Sequence, residues 1–259
     1  MTPRILILGG TRESAELAER LTRASPGRIG VVTSLAGRTA SPRAVAGSVR
    51  IGGFGGADGL AEYIARESIS AIVDATHPFA AEISANAQAA AARTGTPRLL
   101  LLRAPWQPVP GDAWIEVADL AAAAEAIAAR PEAERAFLAV GSGGLAAFRP
   151  LSARFFLVRT AEPVTDSLPG TGGVLVVDRG PFTTEADIAL LARHHIDVIV
   201  SKNAGGTASY AKIAAARARG IPVVMIRRLE KPAGETVATV DDALAWIDRA
   251  LASVSLFRP

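Results

Sequence analysis

The sequence predicts an α/β fold with two doubly wound Rossmann-like domains whose parallel sheets face a cleft. Three observations support this prediction. Short apolar runs alternate with helical patterns along the whole 259-residue chain. These runs are nearly continuous Val, Ile and Leu, which is typical of parallel strands that are covered on both faces. A strand, a Gly-Gly-Thr turn and a helix occur twice, at residues 5–21 and 200–213.

The elements of the first half follow from these runs in order. Strands are predicted at 4–8, 29–33, 49–51, 71–75 and 98–102, and helices at 12–24, 57–67 and 79–93. Residues 103–114 then contain three prolines and a glycine, which indicates a connection between domains. We therefore predict a first domain at 1–108 and a second at 109–259.

The second half repeats the alternation. Strands are predicted at 136–140, 155–159, 174–177, 196–201 and 222–226, and helices at 185–194, 209–219 and 241–251. A further glycine turn at 140–148 should join a strand to a helix. The helix nearest the C-terminus could also cross back to the first domain, so the boundary stays open.

The composition excludes several kinds of site. The chain has no cysteine, which excludes disulfides, thiolate zinc sites, iron–sulfur clusters and a cysteine nucleophile. With only three histidines, no metal site is expected. The net charge of +3 is too small to indicate a nucleic-acid partner, although the pI of about 9.8 suits an anionic ligand. No stretch resembles a membrane span or a signal peptide, so we expect a cytoplasmic protein.

The first candidate site is the turn after the first strand, because ligands of such sheets bind beyond the carboxyl ends of the strands. Gly9 and Gly10 would let the backbone approach a phosphate. The helix that begins near Thr11 and Arg12 would present free N–H groups to it. The pattern is not the G-x-G-x-x-G of dinucleotide sites, so a plain tight turn explains it equally well.

The second strand indicates which dinucleotide would fit. Sites for NAD usually place Asp or Glu about 20 residues beyond the glycines, where it binds the ribose hydroxyls. Here the strand ends in Thr33 and Ser34, and Arg38 follows. Hydroxyls and an arginine suit the 2′-phosphate of NADP, so the sequence predicts NADPH in preference to NADH. The alternative is that Arg38 is a solvated loop arginine.

The fourth strand leads into the stretch DATHPFA, near the expected nicotinamide end of a cofactor. Pro78 fits the first turn of a helix that Thr76 or His77 would cap. His77 could donate a proton or serve only as that cap, and both interpretations remain open.

Two glycine turns of the second domain carry polar residues. One contains Gly141, Ser142 and Gly143, and the other is the stretch SKNAGGTASYAK. The second turn supplies Lys202, Asn203, Gly205, Gly206, Thr207 and Lys212. That is more polar and cationic material than a turn requires. In the alternative interpretation the glycines only close a turn, Thr207 caps the next helix and Lys202 is solvated.

The stretches ILGGTRES, DATHPFA and SKNAGGTASYAKIAAARARGIPVVMIRR resemble, in this order, the precorrin-6A reductase family of cobalamin biosynthesis, which includes the cobalt-precorrin-6A reductases. The resemblance implies an NADPH-dependent oxidoreductase that reduces one carbon–carbon double bond of a tetrapyrrole, from precorrin-6A to precorrin-6B. It implies that 1–108 bind NADPH and that 109–259 lie on the tetrapyrrole side. It leaves open whether the substrate carries cobalt, and hand-off to other enzymes of the corrin pathway is a further expectation.

The resemblance also assigns roles to residues of the turns. It places NADPH against Gly9, Gly10, Thr11, Arg12, Thr33, Ser34, Arg38, Thr76 and His77. It places the tetrapyrrole against Gly141, Ser142, Gly143, Lys202, Asn203, Gly205, Gly206, Thr207 and Lys212. Because lysine is a point charge on a flexible stem, it suits scattered carboxylates, whereas arginine suits phosphate. The proton would come from His77, Lys202 or water.

Two functions of other classes compete with the reductase. A two-domain protein could bind a ligand without any chemistry, and it would then not oxidise NADPH with any tetrapyrrole. A sugar-nucleotide transferase also pairs two such domains, and it would bind a UDP- or GDP-sugar in preference to NADPH.

Overall fold

The structure is a computed structural model that describes residues 2–37 and 45–256. Its strands are β1 Arg4–Leu8, β2 Gly30–Leu35, β3 Ser48–Ile51, β4 Ile69–Asp74, β5 Arg98–Leu101, β6 Trp114–Val117, β7 Arg135–Ala139, β8 Phe155–Thr160, β9 Val174–Val177, β10 Val198–Lys202, β11 Val223–Ile226 and β12 Thr236–Val237. Its α-helices are α1 Arg12–Ala24, α2 Gly56–Arg66, α3 Ala81–Thr94, α4 Leu120–Ala128, α5 Thr184–Arg193, α6 Ala211–Arg219 and α7 Val240–Leu256. A 3-10 helix covers Ser142–Phe148.

The chain divides into two compact units. The first unit combines Met1–Ala104 with Leu229–Pro259, and the second is Pro105–Arg228. The first unit contains a parallel six-stranded sheet in the order β12-β5-β4-β1-β2-β3, and the second a parallel six-stranded sheet in the order β6-β11-β10-β7-β8-β9. These sheets confirm the predicted α/β class with two Rossmann-like domains.

Alternation along the strands builds a core on each face of the first sheet. Ile5 and Ile7 of β1 belong to a buried cluster with α1 and α7, whereas Leu6 and Leu8 belong to a second cluster with α2 and α3. Both faces of β1 are therefore apolar, which explains its continuous hydrophobic sequence. Trp246 of α7 is 4% exposed within the first cluster.

The order of the first sheet locates the expected ligand edge. Consecutive strands run outward from β1 to β3 on one side and from β4 to β5 on the other. The order reverses between β1 and β4, and ligands of doubly wound sheets bind at such a switch point. The second sheet reverses in the same way between β7 and β10. Each unit thus has one switch point, and both predicted glycine turns follow strands that border one.

The predicted domain assignment is wrong for the C-terminal segment. We assigned 109–259 to the second domain, but Leu229–Pro259 belong to the first unit. The physical reason is that β12 pairs in parallel with β5, and α7 buries Ala243 and Ile247 in the core beside β1. Without α7, helix α1 would cover only part of that apolar face of the sheet.

Some local predictions also need correction. The helix after β4 begins at Ala81, with Ala80 at the N-cap position and no side-chain cap, so Thr76 and His77 lie in the preceding loop. The turn after β7 leads into a 3-10 helix instead of an α-helix. Strand β6 and helix α4 were not predicted, because the strand has only four residues and follows the proline-rich connection.

The assignment of α7 predicts the effect of Trp246→Ala. Truncating a nearly buried tryptophan should lower the free energy of unfolding of the first unit by about 3–5 kcal/mol. Hydrogen exchange should show lost amide protection in β1, β4 and β5, with β7 and β10 unchanged. The control Leu229→Ala truncates a side chain that is 56% exposed, and it should have little effect. Lost protection in β7 with β1 unchanged would contradict the assignment.

Candidate functional site

Gly9 and Gly10 are required at the turn after β1 for different reasons. The Gly9 N–H donates to the Ser34 carbonyl over 2.9 Å, and a Cβ at Gly9 would lie 2.8 Å from Thr33 Cγ2. A side chain at Gly9 would therefore push the end of β1 away from β2. Gly10 has a φ of +107°, and a Cβ there would meet no atom within 4 Å. Its missing side chain leaves the outer side of the turn open.

Thr11 and Ser14 organise the start of α1 as a capping box. Thr11 Oγ1 accepts from the Ser14 N–H over 3.1 Å, and Ser14 Oγ accepts from the Thr11 and Gly10 N–H groups over 3.1 and 3.2 Å. The N–H groups of Gly10 and Thr11 are thus engaged within the turn. The next two belong to Arg12 and Glu13, in the first turn of the helix, where N–H groups have no intrahelical acceptor. These two are the donors that an anion could use.

Thr11 also connects the two strands of the switch point. Its hydroxyl donates to the Ala75 carbonyl over 2.7 Å, and the Ala75 N–H donates to the Leu8 carbonyl over 3.0 Å. The turn after β1 and the loop after β4 are consequently fixed against each other. The first predicted turn and the DATHPFA stretch therefore lie at the same edge of the sheet.

At the end of β2, Thr33 is too buried to contact a cofactor, and Ser34 contacts Arg50, which the sequence did not predict. Thr33 is fully buried, and its hydroxyl has no hydrogen-bond partner among the residues that the structure describes. Ser34 Oγ accepts from Arg50 Nη1 over 3.3 Å. Arg50 also donates to the carbonyls of Gly52 and Gly53, and its guanidinium lies 3.8 Å from the centre of the Phe54 ring. Arg38 lies outside the described residues.

The loop after β4 is organised by a buried carboxylate. Asp74 is fully buried and accepts from the Thr76 N–H over 3.2 Å and from the Thr76 hydroxyl over 2.7 Å. Arg98 Nη1 lies 3.6 Å from Asp74 Oδ2, an ion pair that is too long for a hydrogen bond. Burial lowers the pKa of Arg98, and the charge of Asp74 opposes that shift. The two hydrogen bonds to Asp74 therefore fix the position of Thr76.

Lys231 is a site residue that the sequence analysis missed. Its ammonium donates to Ser84 Oγ over 2.6 Å, to the Ala80 carbonyl over 2.9 Å and to Thr76 Oγ1 over 3.2 Å. Lys231 is one of only three lysines in the chain, but it lies 155 residues from Thr76 in the sequence. No local pattern could therefore have paired them. It fixes the loop after β4 to the returning C-terminal segment.

His77 is exposed beside this network. Its Nδ1 accepts from the Phe79 N–H over 3.3 Å, and the two rings lie 5.8 Å apart. A neutral imidazole that accepts at Nδ1 carries its proton on Nε2. His77 thus stabilises the loop locally through Nδ1, and in its neutral form Nε2 carries the proton.

Asn203 in the second unit has a structural role. Its Oδ1 accepts from the Trp106 N–H over 2.8 Å, and its Nδ2 donates to the Trp106 carbonyl over 3.0 Å. Trp106 Nε1 in turn donates to the Gly206 carbonyl over 2.7 Å. Asn203 is 8% exposed. Its amide therefore holds the connecting segment against the turn after β10 and has little access to a ligand.

Arg228, which lies two residues after the end of β11, supports the same turn. Its Nε donates to the Asn203 carbonyl and its Nη2 to the Ala204 carbonyl, both over 2.8 Å. Gly205 and Gly206 adopt φ values of +67° and +69°. Lys202 is partly exposed at the end of β10. The backbone of this turn is thus held from two sides, with Lys202 at its start.

Thr207 does not cap the next helix, which corrects one structural alternative. Helix α6 begins at Ala211, and Tyr210 at the N-cap position makes no side-chain cap. Thr207 is exposed instead. Gly141, Ser142 and Gly143 are also exposed, and the 3-10 helix that follows has no side-chain cap. These residues are accessible, but the structure gives no specific contact for a ligand at them.

Lys212 is buried, contrary to the exposed role that we expected. Its Nζ donates to the Ser209 carbonyl over 2.5 Å and lies 4.9 Å from the centre of the Trp106 ring. Burial and, to a smaller extent, the charge of Arg159 lower the pKa of Lys212 from 10.5 to about 7, although the charge of Asp187 acts in the opposite direction. We therefore leave Lys212 out of the proposed substrate contacts.

Within 2–37 and 45–256, no three His, Asp or Glu side chains come together as a metal site would require. In the same part of the chain, no helix has the length and hydrophobicity to cross a bilayer.

Comparisons with known proteins agree on one family. A family model described as "Precorrin-6x reductase CbiJ/CobK" matches residues 4–248. A precorrin-6A reductase of Rhodococcus erythropolis is 50% identical over 246 residues, which cover 94% of this chain and 97% of that protein. A cobalt-precorrin-6A reductase of Priestia megaterium is 31% identical, with coverage of 93% and 96%.

A solved structure described as "CobK precorrin-6A reductase" has the same fold. It superposes with a TM-score of 0.89 at 43% identity and covers 96% of this chain and 97% of that one. The similarity therefore extends over both units, including the C-terminal segment that returns to the first.

Lys212 should make the stability of the second unit depend on pH. Its pKa is about 7 in the folded protein and 10.5 when unperturbed, so the unfolded state binds more protons between these values. The free energy of unfolding should rise with pH across this window, by up to about 1.4 kcal/mol per pH unit. Relative to Lys212→Met, the free energy of unfolding of the wild type should increase by about 1–3 kcal/mol when the pH is raised by roughly two units within this window. Urea titration at each pH measures this free energy.

The control for this experiment is Arg219→Met, which replaces an exposed cation at the end of α6. Its stability should change with pH as the wild type does. If the stability of Lys212→Met also changed with pH as that of the wild type does, burial would not lower the pKa of Lys212.

Proposed function

The chain belongs to the precorrin-6x reductase family, and on this premise we propose that it is an NADPH-dependent reductase of precorrin-6A. The reaction saturates one carbon–carbon double bond of the macrocycle and yields precorrin-6B, so the enzyme acts on a CH–CH group. We propose the cobalt-free substrate, because a relative named for it is 50% identical, whereas one named for the cobalt form is 31% identical.

The single observation that carries the cofactor assignment is the geometry of the switch point between β1 and β4. Gly10 leaves the turn open on its outer side, and α1 offers the N–H groups of Arg12 and Glu13 in its first turn. A helix of 13 residues also has a positive dipole end at this point. The donor set and the space therefore fit the pyrophosphate of a dinucleotide.

A negative charge in the same helical turn is compensated. Glu13 would repel a pyrophosphate, but Arg103 Nη1 lies 2.8 Å from Glu13 Oε2. Both side chains are largely buried, at 18% and 25% exposure, so their interaction is screened less than a surface pair. The first turn of α1 can thus retain a carboxylate and still accept an anion.

The loop after β4 would receive the nicotinamide end. NADPH bound there would supply the hydride. The protein's own contribution is positional, because the Thr76 hydroxyl donates to Asp74 and accepts from Lys231. His77 is exposed next to Thr76, and in its neutral form it carries its proton on Nε2, because Nδ1 accepts from the Phe79 N–H. We propose His77 or Lys202 as the donor of the proton to the adjacent carbon.

The turn after β10 would bind carboxylates of the tetrapyrrole. Lys202 is the last residue of β10 and lies in register with Ile226, so the exposed Arg227 is at the same sheet edge. The backbone between Lys202 and Gly206 is held by Asn203 and Arg228. A fixed turn with two cations suits an anionic substrate. Accordingly, the second unit binds the tetrapyrrole and the first binds NADPH.

The proposed activity is tested by anaerobic incubation with precorrin-6A and NADPH. The nicotinamide absorbance should fall by one equivalent per equivalent of substrate, and the product should gain the mass of two hydrogens. Binding of both molecules without oxidation would support the non-catalytic alternative. Preferential binding of a UDP- or GDP-sugar would support a transferase.

Lys202→Ala separates the roles of the two units. The substitution removes a charged contact to substrate, so kcat/KM for precorrin-6A should fall about tenfold or more. The Kd for NADPH, measured by fluorescence titration, should stay near the wild-type value. Arg219→Ala removes an exposed cation of the second unit away from the turn and is the control. Loss of NADPH affinity with unchanged tetrapyrrole affinity would reverse the proposed roles of the units.

A further inference from the structure

Arg50 lies where a dinucleotide would place its adenosine ribose. In a sheet with this strand order, the ribose next to the adenine is bound at the carboxyl end of the second strand. Ser34 is the fifth of six residues in β2, and Arg50 of β3 is its partner in the parallel register. Arg50 Nη1 reaches across to Ser34 Oγ over 3.3 Å. The guanidinium therefore lies beside the hydroxyl group at this end of the strand.

The guanidinium is held in one position by neutral groups. Nη1 donates to the Gly52 carbonyl and Nη2 to the Gly53 carbonyl, both over 2.5 Å. The Phe54 ring lies against it at 3.8 Å, within the range of a cation–π contact. Little side-chain freedom would therefore be lost when it binds an anion.

The charge of Arg50 and part of its hydrogen-bonding capacity are available. Among the described residues, no carboxylate forms an ion pair with it, and the segment 38–44, RTASPRA, contains no acidic residue. A guanidinium has five N–H groups. The contacts above use three, so two have no acceptor among the described residues. Arg50 is also partly exposed, which lets a ligand reach it.

The surroundings favour a phosphate over a hydroxyl at this point. The end of β2 and the residues after it, 33–37, read TSLAG and contain no acidic residue that would bind ribose hydroxyls or repel a phosphate. A preorganised guanidinium that lacks a carboxylate partner is the group that most favours phosphate.

We infer that Arg50 recognises the 2′-phosphate of NADPH and so determines the preference for NADPH over NADH. This inference rests on the proposed cofactor, and it names the residue that binds the 2′-phosphate of that cofactor. It gives the cofactor preference a structural origin that does not depend on Arg38.

The test compares two probes that differ only in the 2′-phosphate, 2′,5′-ADP and 5′-AMP, by isothermal titration calorimetry. The wild type should bind 2′,5′-ADP at least about tenfold more tightly, as expected for charge-assisted hydrogen bonds. In Arg50→Ala this ratio should fall close to one, while affinity for 5′-AMP stays near wild type. Arg50→Lys should keep part of the preference, because it retains the charge without the fork.

The matched control is Arg66→Ala, which removes an exposed arginine that also lies near Tyr63 and has no contact with Ser34. Its ratio should equal that of the wild type. If Arg50→Ala lost affinity for both probes equally, Arg50 would only hold the turn at Gly52 and Gly53. If Arg50→Ala kept the wild-type ratio of affinities for 2′,5′-ADP and 5′-AMP, another residue would bind the 2′-phosphate. The inference about Arg50 would then be wrong, although NADPH would remain the cofactor. A wild type without any preference would instead overturn the proposed cofactor itself.

Discussion

The buried carboxylate of Asp74 is the constraint on which the first unit depends. A charge with no exposure to solvent is costly unless it is paired and hydrogen-bonded. Oδ1 of Asp74 accepts two hydrogen bonds from Thr76, and Oδ2, which has no hydrogen-bond partner among the described residues, is compensated only by the charge of Arg98 at 3.6 Å. Arg98 Nη2 donates to the carbonyls of Pro232 and Ala233, and Lys231 donates to Thr76. One carboxylate thus ties together the end of β4, the start of β5 and the returning C-terminal segment.

This constraint also explains why the chain returns to the first unit after Arg228. Both sheets place five strands in the same order, and each takes its sixth strand from a different part of the chain. The second sheet takes β6, which precedes its other strands, whereas the first takes β12, which follows all of them. The two residues of β12 are too few to form a stable strand alone. The contacts of Lys231 and Arg98 and the burial of α7 hold that segment in place.

The sequence predicted the parts of this structure that are encoded locally. The bounds of β1, α1 and β9 are the predicted ones, because continuous apolar runs and glycine turns mark them. Contacts between distant residues were not predictable in this way. Asn203 and Trp106 are 97 residues apart, and Arg50 meets Ser34 only through the register of β3 on β2. The burial of Lys212 was not predictable from the sequence either, because a lysine is usually exposed. In the structure it is buried against the Trp106 ring.

A structure of the protein with bound NADP⁺ most directly tests whether the first unit binds the cofactor and the second unit the substrate. We predict the pyrophosphate at the first turn of α1, against the N–H groups of Arg12 and Glu13. We also predict the 2′-phosphate within hydrogen-bonding distance of Arg50. A pyrophosphate bound instead at the glycine turn after β10, near Lys202, would contradict the account.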